Sequence, residues 1–253
     1  MEPHTQSSVS EEEKSVSTGN ESSQSSIAQY LTPISILIAG VIIAVAILRT
    51  SSKAAVAPTG GTGTPTQVAV NIKDVHMDGN PFVGNPNAPA VLAYWFDYQC
   101  PFCKKFESET MGTLIDNYVK TGKLKLVFKD FQFLGPDSTT AALYARAIWE
   151  LYPDRYFDWR EAIFAKQDNE NGGFGDESSL KALTKTVSGI DADLVAAKIQ
   201  EKKTQYEASI DADREEAVKF GIQGTPGFVT GTKMIPGAVA YSAFASAIDG
   251  QLK

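Results

Sequence analysis

The spacing of apolar positions changes several times along the chain, and each change predicts a different element. Residues 1–30, MEPHTQSSVSEEEKSVSTGNESSQSSIAQY, are rich in Ser and Glu and nearly empty of large apolar groups. Burial cannot offset the entropy of ordering such a segment, so a disordered tail is expected. Residues 31–48, LTPISILIAGVIIAVAIL, carry no charge. At ~1.5 Å rise per residue a helix of that length reaches about 27 Å, close to the ~30 Å hydrocarbon core of a bilayer, which predicts a single transmembrane helix. The AVA at 55–57 resembles a signal-cleavage site, but the leader is long and acidic and Pro58 follows directly, so an uncleaved anchor is the expectation. Residues 49–67, RTSSKAAVAPTGGTGTPTQ, have the composition of a flexible linker. The GGTGT within them lacks the Gly-Lys-Ser/Thr of a phosphate loop.

A folded domain is therefore expected over 68–253. VAVNIKDV at 68–75 alternates apolar and polar residues and predicts a half-buried strand, whereas AVLAYWF at 90–96 is continuously apolar and predicts a central, buried one. Phe102, Phe106, Leu114, Ile115, Tyr118 and Val119 then fall at helical spacing, ending near Gly122, and LKLVFKDF at 124–131 predicts another strand. Strand, helix, strand is a βαβ unit, so the sheet is at least partly parallel. From about 137 to 210 the pattern becomes wholly helical: STTAALYARAIWELY, YFDWREAIFAKQ, ESSLKALTKTV and DADLVAAKIQEKK. A separate helix at 213–223, two short strands within GTPGFVTGTKMIPGA and a last helix at 241–252 complete an α/β domain with an all-helical insertion.

Charge and cysteine usage narrow the chemistry. A net charge of -7 argues against nucleic acid, which is bound through clustered Lys and Arg. The chain has two cysteines, Cys100 and Cys103, separated by Pro101 and Phe102. Zinc needs four ligands, and only His4 and His76 could join the two thiols, so no metal site is expected. QDNENGGFGDE at 167–177 fails the EF-hand pattern, because Gly172 occupies its fifth position. A structural disulfide across so short a loop would remove only about 2 kcal/mol of unfolded-chain entropy. A redox pair accounts for the placement better. Cys100 lies at a strand-to-helix junction, where free N–H groups and the helix dipole favour a thiolate, and Pro101 suits the first helical turn. Cys103 lies one turn along on the same face, within disulfide reach. Cys100 is then the exposed, attacking thiol and Cys103 the resolving one. With a Cys100 pKa near ~4, the thiolate would stabilise the reduced form by about 4 kcal/mol at neutral pH.

The segment GNPNAPAVLAYWFDYQCPFCKKFE resembles the opening of DsbA-like thiol-disulfide oxidoreductases of the thioredoxin superfamily, and GIQGTPGFVTG resembles their loop carrying a cis-proline. The order of elements agrees over about 68–253. The resemblance implies a thioredoxin-like fold, no cofactor, and a cis Thr225-Pro226 bond packed against the cysteines. It also implies catalysis by Cys100, Cys103 and Pro226, with Thr225, Phe102 and Pro101 as substrate-binding residues and Phe228 as a further apolar contact. Members often carry a buried acid six positions before the first cysteine; this chain has Tyr94 there, and its nearest acid is Asp97. The expected function is that of a membrane-tethered oxidoreductase introducing disulfides into exported proteins with free thiols. A membrane redox partner would reoxidise it, and the lipid bilayer would hold it in the cell membrane with the catalytic domain extracytoplasmic. Lys14 against Arg49 and Lys53 gives a one-charge bias towards the opposite orientation, which the need for an oxidising compartment outweighs. A reductase or isomerase of the same fold and a non-enzymatic binding or chaperone module are the alternatives.

Overall fold

A computed structural model describes residues 69–253. The expected tail, transmembrane helix and linker lie outside the described residues. Among the described residues no helix is long and apolar enough to cross a membrane.

The seven apolar residues Ala90–Phe96 form the central strand β2, buried at every position but Val91, as a strand covered on both faces requires. With β1 (Phe82–Val83), β3 (Leu124–Asp130), β4 (Gly227–Thr230) and β5 (Lys233–Pro236) it makes a sheet of order β1-β3-β2-β4-β5. β3 runs parallel to β2, from Ala90 opposite Leu124 to Phe96 opposite Asp130. β4 runs antiparallel to it, from Leu92 opposite Thr230 to Trp95 opposite Gly227. Alternation along β2 divides the core. Leu92, Tyr94 and Phe96 face a large apolar cluster that includes both cysteines and the helical insertion, while Ala93 and Trp95 face a smaller one built from Val70, Ile72, Val75, Ala217, Ile222 and Val229.

The chain crosses from β2 to β3 through one continuous helix, α1, over 101–119. It opens with α-helical Pro101–Phe106 and contains π-helical turns at Glu107–Met111 and Ile115–Val119. The insertion comprises α2 (Pro136–Leu151), α3 (Tyr156–Lys166), α4 (Glu177–Thr186) and α5 (Ala192–Lys219). Helix α6 (Tyr241–Asp249) closes the domain.

Two expectations need correction. The segment 68–75 is not a strand: Ile72–Asp74 is a 3-10 turn whose Asn71 side chain accepts from Lys73 N, and the apolar residues pack over Trp95 without a ladder. Its alternation reported burial rather than pairing. The helices expected separately at DADLVAAKIQEKK and 213–223 are one 28-residue helix, α5, kinked at Lys202. No Gly or Pro interrupts TQYEASIDA, and Tyr206 and Ile210, four apart, supply the buried contacts that carry the helix through. The continuous α5 brings Asp213 back to the sheet. There its carboxylate pairs with Lys129 of β3 at 2.5 Å and with Arg146 of α2 at 2.5 Å, fastening the insertion to the sheet through buried charge.

Candidate active site

At the end of β2 the chain turns through residues 97–99, and Cys100 becomes the N-cap of α1 with Pro101 in its first turn. The turn is held by the buried Asp97 carboxylate. One oxygen accepts from Gln99 N at 2.8 Å and Ser138 Oγ at 2.6 Å; the other accepts from Phe133 N at 3.0 Å and Leu134 N at 3.2 Å. The insertion grips the same turn from the other side. Gln167 Nε2 donates to the carbonyls of Tyr98 at 2.6 Å and Cys100 at 3.1 Å, and Lys104 Nζ donates to Gln167 O at 2.6 Å. Gln99 bonds the 167–177 loop, donating to Phe174 O at 3.0 Å and accepting from Asn171 N at 3.3 Å. That loop, expected to be merely solvated, is part of the scaffold of the site. Among the described residues no group of three or more His, Cys, Asp or Glu side chains is placed to hold a metal ion.

Both cysteines are free thiols. Cys103 is wholly buried, and Cys100 keeps 4% of its surface, so the expectation of an exposed attacking thiol is corrected to one that is nearly covered. The loop bearing Thr225 and Pro226 covers it. The Thr225-Pro226 bond is cis, and Cys100 Sγ donates to Thr225 O at 3.3 Å. The Thr225 hydroxyl is buried without a hydrogen-bond partner among the described residues. It is thus free to donate to a thiolate, which the carbonyl is not.

The two thiols are pushed apart in acidity. A hydrogen bond from Cys103, helped by the Thr225 side chain and the N–H groups of Cys103 and Phe102, outweighs burial and lowers Cys100 from 9.0 to about 6. That is less acidic than the value near 4 expected from sequence, because the covering loop withdraws water from the sulfur. Burial, reinforced by the neighbouring Cys100, pushes Cys103 well above its ordinary value. Such a pair can present one thiolate at neutral pH and keep a second thiol in reserve beside it.

The other named residues separate by exposure. Phe102 is 62% exposed and Pro101 is exposed beside it, on the outer face of the CPFC turn. Phe228 is fully buried and stacks on Tyr94, ring centroids 4.7 Å apart and 16° from parallel, so it belongs to the core rather than to a substrate surface. Phe133, which the sequence did not single out, is 47% exposed and is attached to the cysteine turn through Asp97. A groove of about 350 Å³ runs beside the cis-proline, lined by Gly224, Thr225, Pro226, Met234 and Pro236 among others. Gln99, Gln167, Glu107 and Arg160 also went unremarked in the sequence, since each acts through a contact between distant segments.

A strand that ends in a cysteine-capped helix, with a cis-proline loop across the thiol, defines a thioredoxin-fold dithiol site. Residues 76–250 match the family profile described as Thioredoxin, and the chain belongs to that family. Within it the protein is a DsbA-like thiol-disulfide oxidoreductase. It is 27% identical to Disulfide bond formation protein D of Bacillus subtilis over 177 residues, 70% of this chain and 79% of that one. The crystal structure of oxidised BdbD from Bacillus subtilis superposes with a TM-score of 0.66 at 25% identity, covering 74% of this chain and 98% of that one. The thiol-disulfide exchange protein alpha-DsbA2 from Wolbachia pipientis gives 0.60 at 28% identity, covering 68% and 86%.

Proposed function

We propose that the protein is a membrane-tethered oxidase that passes the Cys100–Cys103 disulfide to thiol-bearing proteins outside the cytoplasm. The observation that carries this reading is the split acidity of the pair: one thiol lowered to about 6, the other raised, beneath a single covering loop. A substrate thiolate attacks Cys100 Sγ, the Cys100–Cys103 bond breaks, and Cys103 departs with the electron pair and takes up a proton. A second substrate thiolate then attacks the substrate sulfur of the mixed disulfide and expels Cys100 as a thiolate, a good leaving group at its lowered pKa. The substrate leaves oxidised by two electrons and the pair is left reduced. A membrane redox partner restores the disulfide. Phe102 and Pro101 meet the apolar part of the substrate, and the extended backbone at Thr225 receives its chain by strand addition.

The tether is supported by the uncharged stretch at 31–48, and the oxidising direction by the name of the Bacillus relative. The oxidised full chain mixed with a reduced dithiol peptide should remove two thiols per chain, and Cys100→Ser should abolish this. Faster reduction of insulin disulfides than oxidation of the peptide would favour a reductase or isomerase. An unchanged effect on the partner protein in Cys100→Ser would favour a binding module.

A further inference from the structure

If Cys103 is the resolving thiol, every turnover moves a proton on or off a sulfur that water cannot reach. Asp97 is not free to serve, because its four hydrogen bonds occupy both oxygens. Glu107 lies four residues after Cys103, one turn along the same face of α1. Its inner oxygen sits 2.7 Å from Arg160 Nη1, yet neither atom is aligned with a hydrogen-bond partner among the described residues. Arg160, from α3, has a 2% exposed side chain in a cage of rings. The guanidinium carbon is 4.3 Å from the centroids of Phe96 and Phe128, 4.8 Å from Phe164 and 5.4 Å from Tyr94. Burying such an ion pair costs several kcal/mol per ion, and packed apolar residues commonly hold a fold as well or better.

Tyr94 adds a second unexplained group. It is fully buried, and its hydroxyl has no aligned hydrogen-bond partner among the described residues. A buried polar group left unsatisfied costs about 1–3 kcal/mol, which Phe at this position would avoid. The hydroxyl feels the Cys103 thiol and the Glu107 carboxyl as close neighbours, with Arg160 opposing them. The other titratable groups facing Arg160, Tyr98 and Tyr156, lie 3.4 Å apart at their hydroxyls and are engaged with each other. The Glu107 side chain keeps 15% of its surface in solvent. Tyr94 and Glu107 therefore lead from the buried sulfur towards water.

We propose that Tyr94 and Glu107 form the proton relay of Cys103, with Arg160 positioning the carboxylate. As the Cys100–Cys103 bond breaks, the departing Cys103 thiolate takes the Tyr94 hydroxyl proton, Tyr94 takes one from the Glu107 carboxyl, and Glu107 recovers its proton from solvent. When the disulfide re-forms, the Cys103 proton returns by the same route while Cys103 attacks Cys100 and expels the partner thiolate. Tyr94 touches the reacting thiol; Glu107 and Arg160 are positioning residues that act through it.

An aromatic disulfide reagent that releases a coloured thiolate separates the steps in the reduced full chain. The first burst reports attack by Cys100 and the second reports resolution by Cys103. At pH 7, Tyr94→Phe and Glu107→Gln should slow the second burst about a hundredfold and change the first less than twofold. The second-burst pH profile should lose its plateau, and Glu107→Asp should recover part of the rate. Tyr94→Phe removes only an unpartnered hydroxyl and leaves the fold intact, so it decides the matter even if Glu107→Gln does not fold. A wild-type second burst and pH profile in Tyr94→Phe would overturn the relay alone. Two bursts in Cys100→Ser would overturn the dithiol reading and the relay with it.

Discussion

Reducing the Cys100–Cys103 pair should change the stability of the protein in a strongly pH-dependent way. The unfolded thiol ionises at 9.0 and the folded Cys100 at about 6. Because the folded value is depressed, the thiolate stabilises the reduced fold fully above pH 9, and the contribution disappears as pH falls through 6. At pH 7 about one pK unit applies, or ~1.4 kcal/mol; at pH 8.5 slightly over two apply, or ~3 kcal/mol. Both are upper figures, since the partly open sulfur is screened by water. Cys103 has the opposite sign, but its raised pKa matters only where the unfolded thiol ionises, near and above pH 9. The disulfide removes about 2 kcal/mol of unfolded-chain entropy from the oxidised form at every pH. The oxidised form should therefore melt higher at pH 5, the two should be nearly level close to pH 7.5, and the reduced form should gain with further alkalinity. At ~2–4 °C per kcal/mol for a domain of this size, the difference in Tm between the forms should swing by roughly 4–12 °C between pH 5 and 8.5. Calorimetry of the full chain in detergent, with and without dithiothreitol, measures it. A difference that does not vary with pH would refute the reasoning. A swing centred near pH 4 would restore the stronger acidity expected from sequence.

Three further outcomes follow from the same contacts. Thr225→Val removes the hydroxyl available to the Cys100 thiolate and should raise the Cys100 pKa by about one unit, read from the pH dependence of its alkylation rate. Asp213→Ala leaves Lys129 and Arg146 buried without their shared carboxylate, and should cost about 3–5 kcal/mol and lower the Tm by at least ~6 °C. In intact reduced cells a membrane-impermeant maleimide should label Cys100; protection until lysis would place the domain on the cytosolic side.

Local features were legible in the sequence because they are governed by local physics. The unbroken run Ala90–Phe96 marked the central strand, and Pro101 behind Cys100 marked the helix start. The Gly-Thr-Pro match located the loop over the thiol from 120 residues away, but only through resemblance, since nothing in the spacing itself brings the segments together. What escaped was set by tertiary contact. Gln167 and Gln99 have ordinary polar side chains in the sequence and become the clamps of the cysteine turn once the insertion folds back. Arg160 would be a surface residue in most helices, and only the packing of α3 over β2 encloses it. The acidity of Cys100 was overestimated because a helix N-terminus is visible in sequence, whereas the covering of Thr225 and Pro226 is not.

The central claim, that disulfide exchange proceeds through Cys100 with Cys103 resolving, is tested most directly by trapping. Cys103→Ser, incubated with a thiol-bearing peptide and its disulfide, should accumulate a stable mixed disulfide that peptide mapping places on Cys100. Wild type should show it only transiently, and Cys100→Ser should show none. A trapped adduct mapped to residue 103 in Cys100→Ser, formed at the wild-type rate, would contradict the account.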